Sequence, residues 1–214
     1  MADIDFFFDP VCPWAWVTSR WAVEVAKQRD LAIDWRFICL RIVNAEKDYS
    51  RDFAPAYANV HGGGQKMLRI AAAARAEGGN DAVARLYTAL GTELHIKGRS
   101  ASELREGNLS LLPDALAAAA LAPTLAEAAD DQKLDVVLAA ETELALSRTG
   151  KDVGTPIITF APHTDREASF FGPVINRIPR GEEAVRLWDA IETIARIPGV
   201  SELKRTLRGR PDFS

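Results

Sequence analysis

The sequence predicts an α/β fold whose sheet-forming ends enclose an all-helical middle. Three observations predict it. Residues 1–44 alternate strand-like and helix-like runs in the order β-α-β. Strand signals nearly vanish over residues 45–150, where alanine and leucine dominate. They return at Ile157 in the order β-β-α.

Ile4 to Phe8 is a short, apolar, aromatic-rich run, and Pro10 ends it, so it reads as a buried strand. From Pro13 to Arg29 the residues Trp14, Val17, Trp21, Val25 and Ala26 recur at helical spacing. Pro13 suits the first helical turn, which places Cys12 at the N-cap. Leu31 to Leu40 reads as a second strand, and a helix joining two strands predicts a parallel pair with a right-handed crossover. In the middle, 54–60, 65–77, 81–95 and 102–106 read as helices. Ser100-Ala101-Ser102-Glu103 fits a capping box. Pro113 and Pro123 each suit a first helical turn. Asp131 is placed to cap a long helix running to Arg148, with Gly150 at its C-terminal end. Gly62-Gly63-Gly64 reads as the most flexible stretch. Ile157–Phe160 and Ala168–Phe171 form a hairpin around Pro162-His163-Thr164-Asp165. Glu182 to Ile197 is an amphipathic helix, and Ser201-Glu202-Leu203 starts a short final one. This order is a thioredoxin-like arrangement interrupted by a helical insertion, with one domain from 1–44 and 151–214 and the other from 45–150.

Composition excludes several classes. Of 214 residues, 48% are hydrophobic and 26% charged, which fits a folded globular chain rather than a disordered, collagen-like or disulfide-stapled one. About 70% of the unfolded surface can be buried at this size. The 26 Lys and Arg against 30 Asp and Glu give a net charge of −4. No basic footprint is present, so nucleic acid is not the expected partner. The opening Met1-Ala2-Asp3-Ile4-Asp5 lacks the basic start and long apolar run of a secretory signal. No window reaches the ~18 apolar residues of a membrane span. Two cysteines fit a reducing compartment, and the expected location is cytoplasmic.

Cys12 opens a helix directly after a strand. A thiolate there faces unpaired backbone N–H groups and the positive end of the helix dipole. Such placement lowers a thiol pKa from about 8.5 to ~3.5–7.5, so Cys12 is the candidate nucleophile. Cys39, between Ile38 and Leu40 on the second strand, reads as a buried structural residue. Trp14 is either an aromatic wall for a planar acceptor or a packing residue. Trp16 and Trp21 read as packing. His61 and His95 are placed to hydrogen-bond a thiolate or ligand, with a helix-end cap the alternative for His95. His163 reads as a solvated turn residue. No histidine or cysteine pair has metal-ligand spacing. The glycine run lacks the Lys-Ser/Thr ending of a phosphate loop.

Cys12-Pro13-Trp14 after an aromatic strand resembles the active site of thioredoxin-fold oxidoreductases of the DsbA-like class. Gly154-Thr155-Pro156 before a strand is the second landmark, and the resemblance implies that Pro156 is cis and packs beside Cys12. A cis bond there turns the Thr155 backbone outward, where it can pair with a thiol ligand. Phe8-Asp9-Pro10 through Trp21, Asp152 through Pro156, Phe170 through Val174, Ile178 through Ala184 and Leu203 through Thr206 together resemble the actinobacterial mycothiol-dependent nitroreductase family. The resemblance implies a cytoplasmic thiol-dependent oxidoreductase with no tightly bound cofactor. Its cosubstrate would be a low-mass thiol, mycothiol or glutathione, and its substrate a small electrophile or disulfide. It also places Asn44 and Tyr57 at the cleft above Cys12. Arg177 and Arg180 are positioned to meet a carboxylate of the thiol. Many members carry a second cysteine where this chain has Ala15. Ala15 reads as a natural monothiol site, an introduced cysteine-to-alanine trap being the alternative. A lone cysteine cannot close on itself, so its mixed disulfide needs an outside thiol. Two further readings stay open. One is a glutathione-transferase-kappa or 2-hydroxychromene-2-carboxylate-isomerase type activity. The other is a redox-inactive binding or chaperone module.

Overall fold

The computed structural model describes residues 2–207 and 209–213, with the side chains of Ser100 and Ala101 outside the description. Strand β1 (Ile4–Phe8) and helix α1 (Pro13–Arg29) fall on the residues expected of them. Cys12 holds an extended backbone before α1, with Pro13 at the first helical position, where no N–H is missed. Asp30 ends the helix in the left-handed region (φ 54°), its N–H returning to the Ala26 carbonyl.

Strand β2 covers Ile33–Phe37 rather than 31–40. It stops because side chains claim the next backbone donors. Cys39 N–H donates to Thr142 Oγ1 (3.0 Å) and Leu40 N–H to Asp9 Oδ2 (2.8 Å). Cys39 is therefore not a strand residue but the N-cap of a short helix α2 (Leu40–Val43), fully buried. Helix α3 (Tyr49–Asp52) follows.

The next helix, α4 (Tyr57–Gly91), is the main departure from expectation. The predicted helices 54–60 and 65–77 join across the glycine triplet into one run, while the break predicted between 77 and 81 is present as a kink at Gly79 (φ 67°, ψ −161°). The second half passes into a π-helical turn at Thr92–Ile96. The glycine triplet lies inside α4, and Gly63 and Gly64 are buried. A Cβ on Gly64 would sit 2.7 Å from Asp9 Oδ1 and 3.1 Å from Val11. These glycines allow close approach and do not mark a loop.

Helix α5 (Arg99–Ser102) starts from Gly98 in the left-handed region, which puts Ser100 inside the helix, and the side chain on which the predicted capping box rests lies outside the description. A 3-10 turn (Leu104–Glu106) and helix α6 (Leu112–Ala118) follow. Pro123–Asp130 is 3-10 rather than α-helical. Asp131 caps a short turn (Gln132–Leu134) through Lys133 N–H, and helix α7 (Asp135–Thr149) begins only after it. Strands β3 (Ile157–Phe160) and β4 (Ala168–Phe171) form the hairpin, and helix α8 (Gly181–Ala195) follows. Residues 201–207 hold no helix, against expectation.

The result is a mixed α/β fold on a four-stranded sheet of order β2-β1-β3-β4. β1 pairs parallel with β2 and antiparallel with β3, and β3 pairs antiparallel with β4. The alternation of β1 sorts the layers. Ile4, Phe6 and Phe8 join the main core with α1, α4 and α8, while Phe7 joins Ile38, Ile157 and Ala145 of α7 on the other face. Trp21 fixes α1 to α8, donating Nε1–H to Ala184 O (2.9 Å) and packing on Trp188. The outer edge of β2 is closed by the helical segment. Asn80 bridges Trp35 N–H (2.8 Å) and Ile33 O (2.7 Å), and Glu141 takes Phe37 N–H (2.7 Å). Side chains thus cap an edge that would otherwise offer free backbone groups.

Trp16 of α1 lies flat against Gly91 of α4, where an added Cβ would fall 2.1 Å from the indole ring. Trp16 is buried and packs on Tyr87 and His95, which resist its displacement. Gly91→Ala is expected to lower stability by about 2 kcal/mol or more through overpacking. Gly62→Ala, with no atom near the new methyl, is expected to raise it by roughly 0.5–1 kcal/mol. Urea unfolding of the two variants checks both signs.

Candidate functional site

Cys12 sits where β1 gives way to α1. Its sulfur is held between two backbone groups. Ala15 N–H donates to Sγ (3.4 Å), and the Cys12 S–H donates to Thr155 O (3.4 Å). The Thr155–Pro156 peptide is cis. Thr155 is itself buried, its Oγ1 donating to Phe7 O (2.9 Å), so the loop before β3 is locked to β1. Of the residues singled out from the sequence, the structure brings Cys12, Pro13, Trp14, Ala15, Thr155 and Pro156 together at this point. Ala15 is fully buried, and its contribution is the backbone N–H.

The thiol is not activated by its position. Burial pushes Cys12 up to about 12, the Asp9 charge pushes the same way, and the Ala15 and Trp14 N–H groups only partly offset them. The expected lowering at a helix start does not occur, because removing a thiolate from water outweighs two backbone donors.

Asp9 is the residue that sequence reasoning missed. It is fully buried, and its carboxylate accepts Val11 N–H through Oδ1 (3.1 Å) and Leu40 N–H through Oδ2 (2.8 Å). Burial raises its pKa to about 7, with those two N–H groups acting against it. The signal was available, since one acid stands inside the otherwise apolar Phe6-Phe7-Phe8-Asp9-Pro10-Val11-Cys12. The Asp9 charge adds to the cost of a Cys12 thiolate, which burial chiefly sets.

The contacts of the remaining predicted residues are with groups other than the sulfur. His95 is buried with its pKa lowered to about 4 by burial. A carbonyl only accepts, so its Nε2 carries the hydrogen and donates to Pro10 O (2.9 Å). His95 therefore supports the loop that carries Cys12. Asn44 is buried and donates Nδ2–H to Leu40 O (2.8 Å), closing α2. Tyr57 is partly exposed and stacks on Phe53, which stacks on Tyr49. His61 meets all three rings edge-on, and its Nδ1 is 2.8 Å from Tyr49 Oη. His163 is exposed in the hairpin turn, its N–H donating to Glu167 Oε2 (2.8 Å). Arg177 is paired with Glu183 and Arg180 lies 3.7 Å from Glu24, so both already have carboxylate partners.

The family described as Rv2466c-like, mycothiol-dependent nitroreductase Rv2466c, matches residues 11–205. The chain belongs to this family. It is also 31% identical over 209 residues to Rv2286c, an uncharacterized protein of Mycobacterium tuberculosis strain H37Rv. That match covers 96% of this chain and 82% of the relative. Among the described residues no helix is long and apolar enough to cross a membrane.

The thiol's state sets its pH response. The rate of Cys12 alkylation by iodoacetamide is expected to climb about tenfold per pH unit from pH 7 to 10, with no plateau. Asp9→Asn removes the opposing charge and is expected to speed alkylation several-fold at pH 8. A plateau below pH 8 in the wild-type chain would contradict this.

Proposed function

We propose that this chain is a thiol-dependent oxidoreductase in which Cys12 acts alone and a low-mass thiol, mycothiol in the first instance, supplies the electrons. In this reading residues 1–44 and 151–214 form a thioredoxin-like, DsbA-like domain. Residues 45–150 form the helical domain that roofs the site. The observation that carries the reading is the sulfur held between Ala15 N–H and Thr155 O, with alanine where a second cysteine would stand. The family's mycothiol-dependent nitroreductase description supports the choice of thiol.

The steps balance for a small disulfide substrate. Cys12 loses its proton and attacks one sulfur, forming a mixed disulfide and releasing the other half as a thiolate, which takes up a proton. A first low-mass thiol attacks the substrate sulfur of that adduct and frees Cys12. A second low-mass thiol then releases the remaining half of the substrate. The net change oxidises two thiols to one disulfide and reduces the substrate by two electrons. The Ala15 and Trp14 N–H groups stabilise the thiolate whenever it forms. The outward Thr155 backbone offers an extended edge for the bound thiol, and Asn44 and Tyr57 bind the substrate at the mouth of the site. His95 holds the Pro10 carbonyl and thereby the loop. The expected location is cytoplasmic, where such thiols are reduced.

The raised thiol also favours a second reading, in which Cys12 stays protonated and an external thiol is the attacking group, as in kappa-class transferases. Intact mass after incubation with oxidised mycothiol or oxidised glutathione tests the choice. One adduct is expected, kept in Cys39→Ser and lost in Cys12→Ser. An adduct on Cys39 with Cys12 unmodified overturns the first reading. A Cys12→Ser variant with full thiol-dependent turnover selects the second.

A further inference from the structure

Arg20 is a half-buried cation with no carboxylate counter-ion among the described residues. It lies two turns beyond Cys12 on α1, roughly 12 Å along the helix. Its Nε donates to Ser19 Oγ (3.2 Å) and its Nη1 to Thr88 Oγ1 (3.0 Å). The guanidinium stacks 4.2 Å over Trp16 and 5.6 Å from the Tyr87 ring centre. Its Nη2 is buried and has no hydrogen-bond partner. No carboxylate pairs with it among the described residues. Glu24, one turn on, faces Gly181 N–H (3.2 Å), Gln28 (3.1 Å) and Arg180 (3.7 Å) instead. Buried charges are ordinarily paired, and here burial pulls the guanidinium down to about 10.

The same side chain lines two adjoining hollows. The larger is a groove of about 750 Å³ between α1, β2 and the second half of α4, within the range of small-molecule sites. Its floor is apolar, built from Val23, Leu31, Ile33, Trp35, Ala84 and Ala89. Its charged lining is Arg20, Lys27, Arg85 and Lys97 against Asp81 and Glu93. Glu93 is already neutralised by Lys97 (2.6 Å) and Arg99 (3.0 Å), while the bond Arg85 makes is to the Ala119 carbonyl. The smaller hollow, about 290 Å³, shares Arg20, Lys27 and Thr88 and adds Trp16, whose Nε1–H is also buried without a partner. Cys12 lines neither.

We propose that the α1–β2–α4 groove binds a small organic carboxylate with an apolar body. The Arg20 guanidinium takes the carboxylate, and the apolar floor takes the body. A carboxylate is the natural counter-ion of an unpaired guanidinium, with Nη1 beside Thr88 as the exposed nitrogen, and the floor calls for an alkyl or aryl chain. Lys27, exposed at the rim of both hollows, adds attraction for the same charge. The site stands apart from the Cys12 chemistry and holds whichever reading of that chemistry is right.

Calorimetric titration of the full chain at pH 7 tests it, with 4-phenylbutyrate and octanoate as probes and 4-phenylbutan-1-ol as the neutral control. One saturable site is expected for the acids, with the alcohol at least tenfold weaker. Arg20→Met is expected to weaken the acids at least tenfold, and Arg20→Lys to weaken them less. Amide shift mapping on the wild-type chain gives a readout that needs no variant to fold, and the expected shifts lie at Lys27, Thr88 and Thr92. Failure of both acids to saturate, equal binding of the alcohol, unchanged affinity in folded Arg20→Met, or shifts centred on Cys12 and Thr155 would each overturn the proposal.

Discussion

The Asp9 carboxylate holds the two halves of the site together. One oxygen takes the Val11 N–H of the loop that presents Cys12, and the other takes the Leu40 N–H that opens α2. A single buried group thereby ties the end of β1 to the end of β2. Both strands run parallel and finish side by side, so their following loops need this connection. The arrangement demands space, and Gly64 provides it by removing a Cβ that would strike Asp9. A glycine deep in a helix costs stability, and here it permits the carboxylate. The same burial that makes Asp9 a good brace makes it hard to ionise, and burial also raises the Cys12 thiol, with the Asp9 charge adding to it.

This changes what the cysteine's position means. A helix start alone suggests a ready thiolate. In the folded chain the buried sulfur instead donates to Thr155 O, and burial is the chief cause of its raised pKa. With alanine at position 15, no neighbouring cysteine competes for it. Cys39 lies buried at the N-cap of α2, with its own thiol pushed up to about 12 chiefly by burial. Burial raises both cysteines with the Asp9 charge adding to it at each, and Cys12 is the one with a backbone acceptor across the loop.

Local pattern carried β1, α1, the β3–β4 hairpin and α8, since strand runs, Pro13 at a helix start and one apolar helix face are written in consecutive residues. The Cys12 and Thr155–Pro156 landmarks were likewise legible. What was not legible depends on groups brought together from afar. Gly62-Gly63-Gly64 reads as a flexible stretch until Asp9 and Val11 are known to press against Gly64. The β2 strand reads too long because nothing local shows that Thr142 and Asp9 claim its last donors. His95 reads as a ligand residue because the Pro10 carbonyl it serves is 85 residues away. Burial of Cys12 is likewise a tertiary fact, and it reversed the direction of the pKa expected from helix position. The helical segment was visible as a composition change, yet its side chains Asn80 and Glu141 also finish the edge of β2, so the sheet depends on it.

The central claim is that burial where β1 ends raises both Asp9 and Cys12. Carbon-13 NMR titration of the full chain, labelled at the aspartate carboxyl and the cysteine Cβ, reads both groups directly. The account predicts an Asp9 midpoint near pH 7 with Cys12 remaining a thiol up to pH 10. An Asp9 midpoint near 4, or a Cys12 midpoint below 8, would contradict it.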